Sequence, residues 1–555
     1  MAVMGICSVV LRAYVPQLPM YGAEHDDELM VSLANNLING NWLGNYSDLT
    51  TRTLAKPPGY AFFLVISYVF NVPSTVLVHL CIAAFGLYIF KNLLKYGLNR
   101  VVVETGYFVL VFSPVWFTAS SSRIYRDYFL AGLMVAAIAS SMNLLNQLGR
   151  NQINGKVSRR GAFNLGVASV AVGLTLSWIR VTKNITFSAT ALVVFVLISV
   201  GFAFRRRPLK QFYVLLLVTG SILFSFNVLP KAVAIQNERT YGVNLTNNYT
   251  EGSFARAMKV MASVRETKPR QYVVVSKSMR LKMYSVSPTL RKIEPYLELP
   301  SASGWKIPPC QSQLRICNES AAWFPWEIRD GVFSAGLGDT ALEFEKTFEK
   351  ISLEIEAACK SRFIQCGEQG LASGIGPLNN LSKRHVAESF AAAAKEVLDL
   401  TGSEGVGASF VPDVSDKTVL LWNETVRYLP KNAPLNSVFP GVNAGSDSIS
   451  LLSNVYKKFW SYFLILGIGG YLLFDSKKHN LKIMIFGIGC LVAAIAQMSQ
   501  LAVAEASIGI FVRGATGYFL PIYPFVIVSC TIGLDILVHR LKNTQPSQSG
   551  NTEST

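Results

Sequence analysis

The sequence predicts a mainly α, polytopic membrane protein of about ten transmembrane helices, with an extracytoplasmic α+β domain inserted after the seventh span. Hydrophobic residues make up 51% of the 555-residue chain and charged residues only 15%, whereas a soluble protein carries about 25% charged residues. The hydrophobic residues are also gathered into long runs, most of them near the ~20 residues that cross a bilayer. A single soluble core would not need such runs.

Ten hydrophobic runs define the predicted spans: residues 3–20, 74–91, 101–121, 127–147, 162–180, 184–204, 211–229, 457–474, 481–501 and 515–537. A further run, Pro58–Phe70, starts at a Pro-Pro pair and is too short to cross the bilayer comfortably. We therefore expect Pro58–Phe70 to form an interfacial or re-entrant helix.

The basic residues between the runs predict the orientation of the chain. With the N-terminus inside, every short loop rich in Lys and Arg faces the cytoplasm, as membrane proteins generally require. If Pro58–Phe70 crossed the membrane, five basic loops would lie outside. We therefore predict cytoplasmic N- and C-termini in an inner or plasma membrane, with residues 230–456 outside. The basic excess of the loops indicates binding to anionic lipid and no nucleic acid partner.

Four segments follow from this topology. Residues 1–229 form an N-terminal transmembrane catalytic module with the first outer loop at 21–73, and residues 230–456 form the extracytoplasmic domain. Residues 457–540 are the C-terminal transmembrane helices, and residues 541–555 are a Ser- and Gln-rich tail expected to be disordered. In the outer domain, Phe344–Phe363 and Val386–Leu400 have the spacing of amphipathic helices.

Four cysteines of the outer domain form two Cys-x6-Cys pairs: Cys310, Cys317, Cys359 and Cys366. Outside the cytoplasm disulfides are expected, and three connectivities are open. A zinc site is the weaker alternative, because zinc ligands are usually spaced by two to four residues.

The first outer loop opens with acidic residues at the start of a helix. Asp26, Asp27 and Glu28 precede hydrophobic residues at helical spacing, among them Leu29 and Leu33. The helix dipole favours ionised carboxylates at this end. Helix capping is the ordinary explanation, but a cap needs fewer carboxylates. The cluster therefore predicts functional carboxylates at the membrane surface.

Six basic residues lie at the predicted outer membrane edge, against the general tendency of Lys and Arg to face the cytoplasm: Lys56, Arg123, Arg126, Arg180, Lys183 and Arg513. Lys and Arg bind phosphate well, so the set predicts an anionic ligand such as the phosphate of a lipid. For any one of the six, pairing with lipid head groups or with another residue of the chain is the alternative.

These residues resemble motifs of the GT-C superfamily of membrane glycosyltransferases, in particular the protein mannosyltransferases and lipid A aminoarabinose transferases (glycosyltransferase family 39-like). The family has an acidic residue after the first span, a small residue eight positions on, Gly-x-Trp and Lys-Pro-Pro-x-Tyr. The matching residues here are Asp26, Ala34, Gly40, Trp42 and Lys56-Pro57-Pro58-Gly59-Tyr60.

Two further family motifs have counterparts. Arg-x-x-x-Asp after the third span matches Arg123 and Asp127, and a late Arg-Tyr-x-x-Pro-x-x-Pro is matched in part from Tyr518 onwards. Gly517 stands where the family often has Arg. The resemblance covers residues 1–230 and 457–540, and the outer domain between them has no recognised counterpart.

The resemblance implies an inverting glycosyltransferase (enzyme class 2.4) that moves a sugar from a polyprenyl-phosphate carrier to a glycan, lipid or protein acceptor outside the cytoplasm. Asp26 would be the catalytic base and Asp127 a second catalytic carboxylate, with Asp27 and Glu28 as secondary acidic groups. The phosphate would be bound by the six cations, Lys56, Arg123, Arg126, Arg180, Lys183 and Arg513, and the lipid groove lined by Trp42 and Tyr60. A divalent metal ion on Asp26 and Asp127 would be the one cofactor, and whether it is needed stays open.

Two other functions remain open at this stage. A ligase or polymerase of polyprenyl-linked glycans would share the lipid phosphate site but transfer a preassembled chain. A transporter or flippase would need charged residues near the membrane midplane and paired repeats with broken helices. The sequence has few central charges and no repeat, which favours an enzyme.

Overall fold

The computed structural model describes residues 1–15, 17–20, 25–46, 52–153, 159–183, 186–204, 208–266, 270–299, 304–312, 314–400, 416–426, 440–474, 480–509 and 516–544. The predicted disordered tail lies outside these residues from 545 onwards, as does Arg513.

The described chain is almost entirely helical. The helices of eight or more residues are α1 Ala2–Ala13, α2 Asp27–Ile38, α3 Gly59–Phe70, α4 Ser74–Lys95, α5 Arg100–Val111, α6 Arg126–Ile153, α7 Arg159–Thr182, α8 Thr186–Phe204, α9 Pro208–Phe226, α10 Val228–Tyr241, α11 Gly252–Met261, α12 Lys277–Tyr284, α13 Phe324–Ser334, α14 Ala341–Lys360, α15 Lys383–Asp399, α16 Asp416–Thr425, α17 Pro440–Gly470, α18 Leu481–Ile508 and α19 Tyr523–Thr544. Shorter helical turns are Pro114–Phe117, Ala119–Ser122, Pro288–Arg291, Glu294–Glu298, Gly304–Lys306, Ile307–Gln311, Ala321–Trp323, Leu378–Asn380, Tyr471–Leu473 and Thr516–Phe519.

Seven helical segments among the described residues are long and apolar enough to cross a membrane: Ser74–Lys95, Arg100–Phe117, Arg126–Leu148, Arg159–Thr182, Phe212–Tyr241, Leu481–Ile508 and Tyr523–Lys542. The predicted class, a mainly α polytopic membrane protein, is confirmed. The predicted count of ten is not, because three predicted spans are missing from the seven: α1 at 3–20 has only 12 residues, the apolar part of α8 at 184–204 is Ala189–Ile198, and α17 at 457–474 is not among the seven segments. The segment Phe212–Tyr241 crosses the predicted domain boundary at 229/230, and the helix α17 crosses the boundary at 456/457.

The short hydrophobic run after the Pro-Pro pair forms α3. Its 12 residues rise only about 18 Å, less than the ~30 Å of a bilayer core. Its last residues, Val69 and Phe70, are 71% and 68% exposed. The length of α3 therefore agrees with a helix that does not cross the bilayer.

The segment of residues 230–456, predicted to be an outer domain and called by that name below, is helical where an α+β fold was predicted. Among its described residues we find no named strand, only isolated bridges such as Val264 with Cys366. The β part of the prediction was wrong. Its hydrophobic residues are spaced for helices: Phe344 and Phe348 of α14 pack against Phe254 of α11 with ring centroids 5.7 and 4.8 Å apart.

Both predicted amphipathic helices of this domain are present. Phe344–Phe363 corresponds to α14, which opens with a capping box between Thr340 and Glu343, and Val386–Leu400 corresponds to α15. The structure also decides the cysteine pairing, which is local in both cases: Cys310–Cys317 and Cys359–Cys366.

The outer domain packs onto the first outer loop. Arg52 Nη2 lies 3.2 Å from Asp330 Oδ2, and the amide of Asn248 donates to the carbonyl of Leu54 over 2.9 Å. The domain thereby holds two residues that precede Lys56 in the loop, and it brings its aromatic residues to the start of α2.

Candidate active site

Asp26 is the residue before α2, but its carboxylate does not cap the helix. No capping hydrogen bond is made by its side chain. Instead the carboxylate contacts Lys56 Nζ and accepts a hydrogen bond of 2.9 Å from Tyr125 Oη. Helix capping therefore does not explain Asp26, because its side chain contacts Lys56 and Tyr125 instead.

Lys56 is held in place by the backbone that follows it. Pro57 and Pro58 restrict the chain, and Gly59 then begins α3 against the end of α7. A Cβ at Gly59 would lie 2.5 Å from the carbonyl oxygen of Val181 and from Thr182 Oγ1. Only glycine permits this approach, which brings the Lys56 segment beside the end of α7.

Tyr125 lies at the centre of the cationic residues. The charged groups of Lys56, Arg123 and Arg126 lie 5.3, 4.6 and 5.1 Å from the centroid of its ring, within the range of cation–π attraction. Lys56 Nζ also donates to Tyr125 Oη over 3.1 Å. Tyr125 was not predicted as a site residue, and the one signal for it is its position between Arg123 and Arg126.

Asp27 pairs with Arg123. The Arg123 Nε lies 3.0 and 2.7 Å from the two carboxylate oxygens of Asp27, and Nη2 contacts the same carboxylate. Asp27 is completely buried. Burial raises the pKa of Asp27 to about 6, although its hydrogen bonds with Arg123 act in the opposite direction. Asp27 therefore fixes the position of the Arg123 guanidinium, which is predicted from the sequence to bind phosphate.

Asp127 is the first acidic residue of α6, and it pairs with Lys183. Lys183 Nζ donates to Asp127 Oδ1 over 2.8 Å and lies 4.1 Å from the ring centroid of Tyr518. A Cβ on Gly517 would lie 3.4 Å from Asp127 Oδ2. The position where the related motif has Arg therefore faces this carboxylate directly.

The two lysines of the site have lowered pKa values. Burial lowers the pKa of Lys183 to about 8, against the attraction of Asp127. Burial, and then the positive charges of Arg126 and Arg123, lower the pKa of Lys56 well below its usual value. The carboxylate of Asp26 in contact with Nζ opposes this change. Crowded positive charge of this kind favours the binding of an anion.

The structure does not bring every predicted residue to this centre. Arg180 Nη1 donates to Asn227 Oδ1 over 3.3 Å, and Nη2 lies 3.5 Å from Glu251 Oε1. Among the described residues, neither Asn227 nor Glu251 forms a hydrogen bond or ion pair with Tyr125, Lys56 or Arg123. Trp42 donates to Asn237 Oδ1 over 2.8 Å.

Tyr60 and Glu28 lie on α3 and α2. Tyr60 is buried between Phe63 and Phe129, with centroid distances of 6.1 and 6.0 Å, so its ring packs within the helices. Glu28 is half-buried. Arg513 lies outside the described residues.

The carboxylates at the centre have cationic partners. Asp26 contacts Lys56, and Asp127 accepts from Lys183. Among the described residues no group of three or more His, Cys, Asp or Glu could hold a metal ion. A metal ion on Asp26 and Asp127 would share each carboxylate with a lysine, because Lys56 and Lys183 contact one oxygen of each.

No protein-family model and no curated protein matches the chain. Two solved structures of ArnT from Cupriavidus metallidurans are similar to it. The structure bound to undecaprenyl phosphate is 14% identical over 98% of this chain and 77% of that chain, with a TM-score of 0.24. The apo structure is 13% identical over 96% and 76%, with a TM-score of 0.27. The fold class therefore rests on the helices themselves, and the site on its own geometry.

Proposed function

We propose that this chain is an inverting glycosyltransferase of the GT-C type, which transfers a sugar from a polyprenyl-phosphate carrier to an acceptor on the extracytoplasmic side. One observation carries the proposal: the carboxylate of Asp26 and the cationic groups of Lys56, Arg123 and Arg126 all meet at Tyr125. A base and a set of phosphate-binding cations are the two requirements of this reaction.

The cations serve the leaving group. When the bond between the anomeric carbon and the phosphate oxygen breaks, the electron pair goes to the phosphate. Lys56, Arg123 and Arg126 would stabilise the resulting polyprenyl phosphate, because positive groups already in place need no rearrangement as charge develops. Arg123 is held by Asp27, which fixes its direction.

Asp26 serves the acceptor. Its carboxylate would take the proton from the acceptor hydroxyl while the hydroxyl oxygen attacks the anomeric carbon from the face opposite the phosphate. The new glycosidic bond forms as the old bond breaks, and the configuration of the anomeric carbon is inverted. The Asp26 side chain is 28% exposed, so an acceptor can reach it.

Substrate binding would release the base. In the structure Asp26 is paired with Lys56. A donor phosphate would compete with Asp26 for this lysine, since ammonium groups bind phosphate strongly. The proposal therefore assigns Lys56 two partners in turn, first Asp26 and then the donor phosphate.

The lipid would lie along α3 at the outer membrane surface. The exposed side chains of Val69 and Phe70 at its end are suited to contact with a polyprenyl tail. With the N- and C-termini in the cytoplasm and the outer domain outside, as the basic loops predict, the site opens to the side where the acceptor is found.

The test is transfer activity of the purified protein in detergent or liposomes. Undecaprenyl phosphates carrying mannose, glucose, galactose or aminoarabinose would be offered as donors together with cell-envelope extract as acceptor. Asp26→Asn should lower turnover at least a thousandfold. The matched control is Asp339→Asn, which changes an exposed carboxylate of the outer domain and should leave turnover unchanged.

Three outcomes count against the proposal or redirect it. Consumption of none of the donors by the wild-type protein would reject a transferase of this class. Near-normal turnover of Asp26→Asn would remove Asp26 as the base. Transfer of a preassembled chain, with no single-sugar product, would make the protein a ligase or polymerase acting through the same lipid phosphate site.

A further inference from the structure

Two tryptophans of the outer domain lie beside the proposed base. Trp305 and Trp326 are stacked with ring centroids 6.5 Å apart, and His25 contacts both, with centroid distances of 5.1 and 5.4 Å. His25 Nε2 lies 3.9 Å from Asp26 Oδ2. An aromatic cluster from two distant parts of the chain therefore adjoins the carboxylate.

The cluster is joined to the cationic side of the site as well. Lys56 Nζ lies 5.5 Å from the ring centroid of Trp326. The aromatic residues thus extend the site that contains Asp26 and Lys56, and they lie on its outer-domain side.

A polar pair borders the aromatic rings. Asp330 accepts a hydrogen bond of 2.8 Å from Trp305 Nε1 and one of 3.2 Å from Arg52 Nη2. Burial, and then the charge of Lys56, lower the pKa of His25 to about 3. His25 is therefore uncharged at neutral pH and presents an aromatic ring.

The cluster is accessible at one edge. The side chains of His25 and Asp26 are 26% and 28% exposed, and Trp305 is half-buried. Trp326 is only 9% exposed and lies behind them. A ligand approaching Asp26 would therefore meet His25 and Trp305, with Trp326 as their support.

We propose that Trp305 and His25 bind the sugar ring of the donor, with Trp326 supporting them and Asp330 hydrogen-bonding a sugar hydroxyl. This inference rests on the proposed function and specifies which residues recognise the transferred group. A pyranose has one face of C–H bonds that packs well on an aromatic ring, while its hydroxyls need a few polar partners. Aromatic rings next to an Asp–Arg pair meet both needs.

The position of the cluster has a consequence for the role of the outer domain. The phosphate contacts proposed above come from the transmembrane module, whereas Trp305, Trp326 and Asp330 come from the outer domain. The sugar of one donor would then be recognised mainly by the outer domain, with His25 from the first outer loop, and its phosphate by the transmembrane module. Loss of the tryptophan should weaken binding of the sugar and spare binding of the lipid phosphate.

The experiment compares Trp305→Ala with the wild-type protein, using two probes. The first is the undecaprenyl-phosphate sugar, of the four named above, that the wild type consumes, and its KM is measured. The second is undecaprenyl phosphate without a sugar, measured as an inhibitor. We expect the KM of the sugar donor to rise at least tenfold and the inhibition constant of undecaprenyl phosphate to stay within twofold.

Two further variants complete the test. Trp305→Phe keeps an aromatic ring but cannot donate to Asp330, and its KM should lie between those of the wild type and Trp305→Ala. Phe363→Ala is the matched control, because Phe363 is an aromatic residue of the same domain that is 74% exposed, and it should not change either constant. Circular dichroism and elution as a single species would check folding.

The results separate this inference from the proposed function. Equal weakening of both probes by Trp305→Ala, or no weakening of either, would overturn the sugar site while leaving the transferase proposal intact. If Trp305→Ala does not fold, an unchanged sugar-donor KM in Trp305→Phe would overturn it. Failure of the wild type to bind undecaprenyl phosphate would instead reject the proposed function itself.

Discussion

Asp27 and Arg123, 96 positions apart in the chain, form a two-point ion pair that joins the first residue of α2 to the loop before α6. The carboxylate is fully buried, while the Arg123 side chain is 30% exposed. The pair therefore anchors one side of the guanidinium within the protein and leaves the other side for a ligand. Arg123 Nη2 also lies 3.9 Å from Asp26 Oδ2, so this anchor connects to the proposed base.

The first prediction concerns the pH dependence of stability. The pKa of Asp27 is raised to about 6 from 3.8, so its contribution to stability is complete below pH 3.8 and is lost as the pH rises through about 6. The shift in the pKa corresponds to about 3 kcal/mol in the free energy of unfolding. Asp27→Asn should therefore flatten the rise in stability seen when the pH is lowered from 7 to 5, as measured by thermal unfolding in detergent.

Arg123→Ala supplies the complementary test. Without the guanidinium the pKa of Asp27 should rise further. As the pH rises from 5 to 8, the free energy of unfolding of Arg123→Ala should therefore fall by more than that of the wild type. The double variant with Asp27→Asn should recover part of this loss, because no buried charge is left unpaired. A double variant less stable than Arg123→Ala at pH 8 would contradict this account of the pair.

The second prediction concerns donor binding at high pH. Burial lowers the pKa of Lys183 to about 8, so Lys183 loses its charge as the pH rises from 7 to 9. The donor is a phosphodiester and does not titrate in this range. The KM of the donor should rise about tenfold over these two pH units. Lys183→Arg keeps its charge and should show a smaller rise, the remainder belonging to Lys56, whose pKa is also lowered; a rise of the same size in that variant would exclude Lys183 as its cause.

The third prediction separates two roles of Tyr125. Tyr125→Phe keeps the ring on which the cations pack but removes the hydroxyl between Lys56 and Asp26. It should lower kcat about tenfold, the value of one hydrogen bond to a charged group. Tyr125→Ala also removes the ring and should lower kcat/KM at least a hundredfold. Equal losses in the two variants would mean that the ring does not organise the cations.

The fourth prediction concerns the close approach at Gly59. In Gly59→Ala the new Cβ would meet the carbonyl oxygen of Val181 at 2.5 Å. The start of α3 must then move away from α7, which should cost about 1–3 kcal/mol and weaken donor binding by shifting Lys56. The control is Gly166→Ala in α7, where a Cβ would meet nothing within 4 Å and helix propensity should improve. Equal unfolding temperatures for the two variants would disprove the packing argument.

The fifth prediction concerns metal ions. Because Asp26 contacts Lys56 and Asp127 accepts from Lys183, the proposed mechanism uses side-chain cations to meet the charge of the leaving phosphate. Transfer should keep its rate within twofold in the presence of EDTA. Loss of activity in EDTA that Mg²⁺ or Mn²⁺ restores would show that a metal ion takes the place of one of these lysines.

The helical architecture could be predicted because the signals for it are local. Hydrophobic runs indicated the membrane helices, the Pro-Pro pair preceded a helix too short to span, and helical spacing predicted α14 and α15. The α+β prediction for the outer domain failed because short hydrophobic segments do not distinguish a strand from a buried helix. The count of ten spans is not confirmed among the described residues: hydropathy alone located the first span, where α1 has only 12 residues.

By itself the sequence determined that the chain is a mainly helical membrane protein and which charged residues stand at the ends of its helices. Tertiary structure alone decided that Asp27 holds Arg123, that Arg180 pairs with Glu251, and that Trp305 reaches His25. The reason is physical. Hydropathy and periodicity are properties of neighbouring residues, whereas ion pairs and ring contacts between distant residues depend on how the helices pack.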